Sequence, residues 1–129
     1  MGITYADLRS ANDAREDLEE INASAVVDTG ALHLCIPEHL AMQLQLKPLK
    51  QREVQTADGK LHMVDYVGPI KISMLGRECF TGALVMGDQV LLGAIPMEDM
   101  DLVVEPARMR VTVNPFSPNI PMSLAKGVR

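Results

Sequence analysis

Apolar and polar positions alternate over short stretches of this chain, and turn residues separate them at close intervals. Ile3-Thr4-Tyr5-Ala6-Asp7-Leu8-Arg9 alternates well enough to predict a first strand over 3–9. The Ser-, Asn-, Asp- and Glu-rich run 10–19 predicts a loop, with at most a helical turn within 14–20. A second strand is predicted over 20–27, ending on the β-branched pair Val26-Val27, and a short third strand over 32–36. Pro37 then falls at a first helical position, and Glu38 suits the positive end of a helix dipole. Leu40, Ala41 and Leu44 give one apolar face, so a short helix is predicted to stop before Lys47-Pro48.

The second half reads as strands joined by sharp turns. Residues 49–57 run to Asp58-Gly59, a strong hairpin signal, and 60–67 return. Gly68-Pro69 predicts a break or bend, with strand resuming over 70–75, a turn at Leu75-Gly76-Arg77 and strand again over 78–86. Val90-Leu91-Leu92 is apolar and leads straight into Gly93, and 94–100 predicts a short helix with Pro96 in its first turn. Strands over 102–104 and 110–113 flank a turn at 106–109. Pro115, Pro118 and Pro121 mark an extended tail that need not be ordered. The fold class is mainly β: a small closed or partly closed β-barrel with one or two short helices, a domain over 1–113 and a Pro-rich C-terminal tail over 114–129.

Composition narrows the classes of function. A chain of 129 residues with 47% hydrophobic content fills one modest domain. A net charge of −5 argues against nucleic acid as a partner, and 3% aromatic residues without Trp argue against stacking platforms. Nine Met residues point to adaptable packing at a cleft or a subunit contact. Cys35 and Cys79 sit among apolar neighbours and are expected as buried free thiols. No signal peptide opens the sequence and no apolar run reaches membrane-spanning length, so the expected location is the cytoplasm, with no membrane partner.

Candidate chemistry centres on Val26-Val27-Asp28-Thr29-Gly30-Ala31-Leu32. A strand, then an acid, then a tight glycine turn places one carboxylate at the rim of a core, beside backbone N–H groups. By itself this pattern is equally an Asp that opens a turn. His33, Cys35 and His39 lie near one another in sequence, yet their spacing fits no zinc pattern, and neither metal nor cofactor is expected. Lys47, Lys50 and Arg52 form a small basic cluster that reads as a solvated face.

Taken with Val90-Leu91-Leu92-Gly93 some sixty residues later and the hairpin between, the motif resembles the retroviral-type aspartic proteases, and more closely their bacterial and archaeal relatives of one small domain. The resemblance covers roughly residues 3–113. It implies a retropepsin-like barrel with a flap hairpin. It gives Asp28 the role of catalytic aspartate, Thr29 that of a hydroxyl locking two motifs together, and Gly30 that of a main-chain contact to substrate. By the same resemblance Ala31, Leu32, Ala57, Asp58, Gly59 and Leu92 contact substrate, with Asp58-Gly59 at the flap tip.

The implied chemistry needs two carboxylates sharing one proton: one activates water as general base, the other donates to the scissile carbonyl. Asp-Thr-Gly occurs once in the chain, so the second copy must come from a second subunit on a two-fold axis. The expectation is therefore an aspartic endopeptidase acting as a symmetric homodimer on a peptide or protein substrate. The alternative is a non-catalytic dimeric peptide-binding module that retains the fold and binds by strand addition. Three features depart from the retroviral pattern. Leu32-His33 stand in place of acidic residues, Ala94 stands in place of the Arg that pairs with one of them, and the flap tip carries a single glycine, Gly59. Apolar packing is the expected substitute for the lost ion pair.

Overall fold

A computed structural model describes residues 2–125, and in it a six-stranded mixed barrel closes on itself. The strands are β1 (Thr4–Asn12), β2 (Ile21–Val27), β3 (Cys35–Ile36), β4 (Lys47–Gln55), β5 (Leu61–Met74), β6 (Arg77–Val85), β7 (Val90–Leu92), β8 (Leu102–Glu105) and β9 (Arg110–Val113). Around the barrel the order is β1-β2-β7-β3-β6-β5, and β5 returns to β1. Two pairings are parallel, β2 with β7 and β3 with β6; the rest of the ring is antiparallel. Strand β4 lies outside the ring and pairs with β5 alone, and β8–β9 form a separate two-stranded ribbon.

The core follows from alternation. Ala25, Ile36, Ile70, Ile72, Ala83 and Leu92 project inward and are fully buried. Burying each of the larger side chains stabilises the fold by roughly 1.5–3 kcal/mol. Helix α1 (Glu38–Gln43) presents Leu40 and Ala41 to this core, and α2 (Ala94–Asp99) presents Pro96 and Met97.

Four expectations change. First, β1 does not stop at residue 9: Ser10 and Asn12 are buried, and their side chains are satisfied by carbonyls. Ser10 Oγ donates to Ile21 O at 3.1 Å, and Asn12 Nδ2 donates to Leu44 O at 2.8 Å. Pairing Arg9–Asn12 with Ile70–Ser73 closes the barrel. Second, residues 32–34 are irregular with a bend at His33 rather than strand, and the Leu32 carbonyl accepts from Ile95 of α2 instead of a strand partner. Third, Pro37 is the extended residue capping α1 and not its first helical residue. Fourth, of the break or bend expected at Gly68-Pro69, the structure has a local irregularity without a break. The bond is cis, the β5–β6 register shifts there, and β5 runs through it.

The start of the predicted tail is tied down. Arg77, 5% exposed, donates to the carbonyls of Met100 (3.1 Å) and Asp101 (2.8 Å) and to that of Ser117. The Asp101 carboxylate accepts from the Ser117 hydroxyl, from Asn114 Nδ2 at 3.0 Å and from Met122 N–H at 2.9 Å. Residues 126–129 of that tail lie outside the described residues.

Candidate active site

Strand β2 runs parallel to β7, with Val26 beside Leu91 and Val27 beside Leu92. Its end carries the chain out of the barrel at Asp28, whose N–H donates to Leu92 O at 3.1 Å. The next turn closes through Ala31 N–H to Asp28 O at 3.1 Å and Gly30 N–H to Asp28 Oδ1 at 2.9 Å. One carboxylate oxygen is thus fixed by its own turn, and Asp28, Thr29 and Gly30 are all solvent-exposed. A side chain on Gly30 would bring a Cβ within 3.1 Å of that same oxygen.

The second motif buttresses the first. A Cβ on Gly93 would stand 2.3 Å from His33 O and 2.9 Å from Ala31 O. Only glycine lets the start of α2 pass so close to the loop. That approach delivers Ala94 N–H to Ala31 O at 2.8 Å and Ile95 N–H to Leu32 O at 2.9 Å. These main-chain bonds hold the two loops together where the retroviral pattern places an ion pair. Apolar packing is not the substitute, since Leu32 is 55% exposed.

Beside the turn lies a cleft of about 490 Å³ between residues 30–35 and strand β4. Gly30, Ala31 and Leu32 form one wall, and Arg52, Val54 and Ala57 belong to the other. Asp58 and Gly59 sit at the exposed hairpin tip, outside that lining. Leu92 is fully buried, and its neighbour Leu91 lines the cleft instead. A larger hollow of about 590 Å³ lies between β1, β2 and the Leu75-Gly76 turn, and no motif residue reaches it.

The hairpin tip is internally bonded. Gly59 N–H donates to Thr56 O at 2.9 Å, Lys60 N–H to Asp58 Oδ1 at 3.0 Å, and Thr56 Oγ1 also donates to Asp58 Oδ1. The Thr56 hydroxyl and then the Lys60 N–H hold the Asp58 carboxyl below its ordinary value. Gly59 has φ +84°, a conformation that other residues rarely adopt.

Two cleft residues, Cys35 and His33, carry more than sequence reasoning gave them. Cys35 was expected in the core, yet it is half-buried and lines the cleft; burial raises its thiol pKa. Cys79 is the buried thiol, pushed up to about 12 by burial and then by Asp99. His33 also lines the cleft, edge-on to Tyr66 with ring centroids 6.0 Å apart. Its Nε2 is buried without a hydrogen-bond partner. Burial, and then the positive charges of Arg52 and Lys50, lower its pKa. Strand alternation does place 33 and 35 on one face, but it does not say that this face turns to the cleft, as the bent, non-strand run before Cys35 makes it do.

Residues 17–68 match a protein family described as aspartyl protease. The matched region takes in the Asp-Thr-Gly turn, α1 and the β4–β5 hairpin, and it ends before Leu91-Leu92-Gly93. No curated protein matches the chain. Among the described residues no helix is long and apolar enough to cross a membrane.

Proposed function

We propose that the protein is an aspartic endopeptidase of the retropepsin-like kind, acting as a homodimer in which each subunit gives Asp28 to one shared dyad. The observation that carries this reading is the pairing of an exposed, turn-fixed Asp28 carboxylate with a peptide-sized cleft beginning two residues later. The family match over 17–68 supports the same reading.

The chemistry follows from bringing two such turns together. Two carboxylates in contact cannot both ionise, so they hold one proton between them. The ionised member takes a proton from water, and the water oxygen attacks the scissile carbonyl. The protonated member donates to the carbonyl oxygen as charge develops there. Thr29, exposed on one subunit, gains its partner at the two-fold axis, and the Gly30 main chain meets the substrate backbone. Ala31, Leu32 and Ala57 form the walls, and Asp58-Gly59 form the tip of a flap that closes over the peptide. Leu92 acts from the core, by accepting the Asp28 N–H bond.

The test is turnover of a peptide library across pH 3–7 by wild type and Asp28→Asn, purified identically. Wild type should cleave and Asp28→Asn should not, with fold and oligomeric state intact. Undiminished cleavage by Asp28→Asn would falsify the aspartic mechanism.

A further inference from the structure

The charged residues of this chain are distributed unevenly. Arg9, Arg15, Lys71, Arg77, Arg108 and Arg110 each have a carboxylate within 4.0 Å. Among the described residues, Lys47, Lys50, Arg52 and Lys60 have none, and all of them lie on β4 or on the tip that follows it.

The pleat sorts these residues further. Lys50 stands opposite Tyr66, Arg52 opposite Val64 and Val54 opposite His62. Val54, Val64 and Tyr66 are half-buried, whereas Gln51, Glu53, Met63 and Asp65 are exposed. The first set is therefore the underside of the hairpin, turned toward the cleft, and the second is its outer face. Lys50 Nζ lies 5.3 Å from the Tyr66 ring centroid, and that ring meets the edge of His33. Arg52 and His33 both line the cleft. Glu53 reaches the lining too, but its side chain leaves the strand on the other face, and Asp65 is engaged by the Gln51 amide at 3.5 Å. The underside of the hairpin thus holds two cations, Lys50 and Arg52, without a carboxylate of their own, above a histidine with an unpartnered buried nitrogen.

We infer that the cleft selects peptides bearing an acidic side chain, seated against Arg52 and Lys50 on the underside of the hairpin and against His33 on the facing wall. This rests on the proposed peptide-cleaving or peptide-holding use of the same cleft, and it names the class of peptide. In a protein of net charge −5, a local cationic strip is what makes an acidic side chain welcome at one position. Exposed charge pairs are weak, so the selection is graded: about fivefold for glutamate over glutamine at the selected position. It should fade as salt rises, because the Debye length shrinks from about 10 Å at 0.1 M to about 3 Å at 1 M.

The experiment compares matched peptides in which each position in turn carries Glu or Gln in an otherwise fixed apolar sequence. Cleavage is measured with wild type, the Lys50→Gln/Arg52→Gln double variant and Lys60→Gln. Binding of the same peptides, fluorescently labelled, is measured with Asp28→Asn. The expected result is one position with a Glu/Gln ratio of about five. The ratio should fall to near one in the double variant and in 1 M salt, and hold in Lys60→Gln. A ratio near one in wild type at every position overturns the inference and leaves the protease reading standing. So does a preference that survives the double variant. Acid-selective binding without cleavage by wild type supports the inference and overturns the protease reading instead. Absence of both binding and cleavage overturns both.

Discussion

The carbonyl oxygen of His33 occupies the place that a side chain on Gly93 would need, 2.3 Å from the position of its Cβ. The two residues come from loops sixty positions apart, and beside their contact Ala94 and Ile95 donate to the carbonyls of Ala31 and Leu32 in the Asp28 loop. Backbone φ at Gly93 is −86°, so other residues could adopt its conformation; the requirement is space alone.

Gly93→Ala should therefore destabilise the fold by about 3 kcal/mol, the upper end for overpacking, since backbone rather than a flexible side chain must give way. The bonds from Ala94 and Ile95 to the Asp28 loop should lengthen with it, and turnover should fall further than folded fraction. Urea midpoints, and kcat per folded protein in the proposed peptidase assay, check both. A variant as stable as wild type would show that the loops are not in the contact described.

The Asp28 turn was legible in sequence because it depends on a short local signal, Asp-Thr-Gly after a β-branched pair, whereas its buttress at Leu91-Leu92-Gly93 was legible only through the family resemblance. Strand 110–113 and the Asp58-Gly59 hairpin were, like the turn, legible from local signals. What escaped depends on partners distant in sequence. Ser10 and Asn12 look like loop residues until their acceptors on Ile21 and Leu44 are known. Leu32-His33-Leu34 looks like strand until α2 claims the Leu32 carbonyl. The tail looks free until Arg77 and Asp101 are seen to hold Asn114 and Ser117.

That last network predicts an acid response. The Ser117 hydroxyl, the Met122 N–H, the Asn114 amide and finally the Arg77 guanidinium hold the Asp101 carboxyl at about 2, against an ordinary 3.8. The unfolded chain takes up the proton first as pH falls, so protonation favours unfolding. The stabilisation is complete above the unfolded value and is lost as pH drops from about 4 to about 2. Asp101→Asn should thus be less stable than wild type at pH 6, and the gap should close across that window. Denaturant midpoints at half-unit pH steps measure it; a gap that stays constant down to pH 2 would remove the carboxylate from this role.

The hairpin tip makes a separate prediction. With φ at +84°, Gly59→Val strains the turn by about 1–2 kcal/mol while leaving the barrel untouched. Turnover should drop more than thermal stability does. Amide exchange at residues 55–61 should slow on binding a peptide-mimetic inhibitor in wild type and slow less in the variant. Equal exchange at the tip in free and bound wild type would count against a closing flap.

The shared dyad is tested most directly by mixing subunits. If each active site needs Asp28 from both chains, a dimer of one wild-type and one Asp28→Asn subunit is inactive. Asn is close in shape to Asp, and the substitution removes a like-charge conflict at the axis, so mixed dimers should form as readily as pure ones. Co-refolding equal amounts then leaves about a quarter of dimers wild type in both subunits, about half mixed and about a quarter inactive in both. Activity per total protein should fall to about a quarter of the wild-type value, and follow the square of the wild-type fraction as the ratio is varied. Independent monomers, each with a complete site, give about a half at the same mixture and a straight line throughout. Sedimentation at the assay concentration fixes the dimer fraction, which should give twice the 14.1 kDa chain mass. A linear mixing curve from a dimeric protein would place all the catalytic groups on one chain and end the shared-dyad proposal, whatever Asp28→Asn does alone.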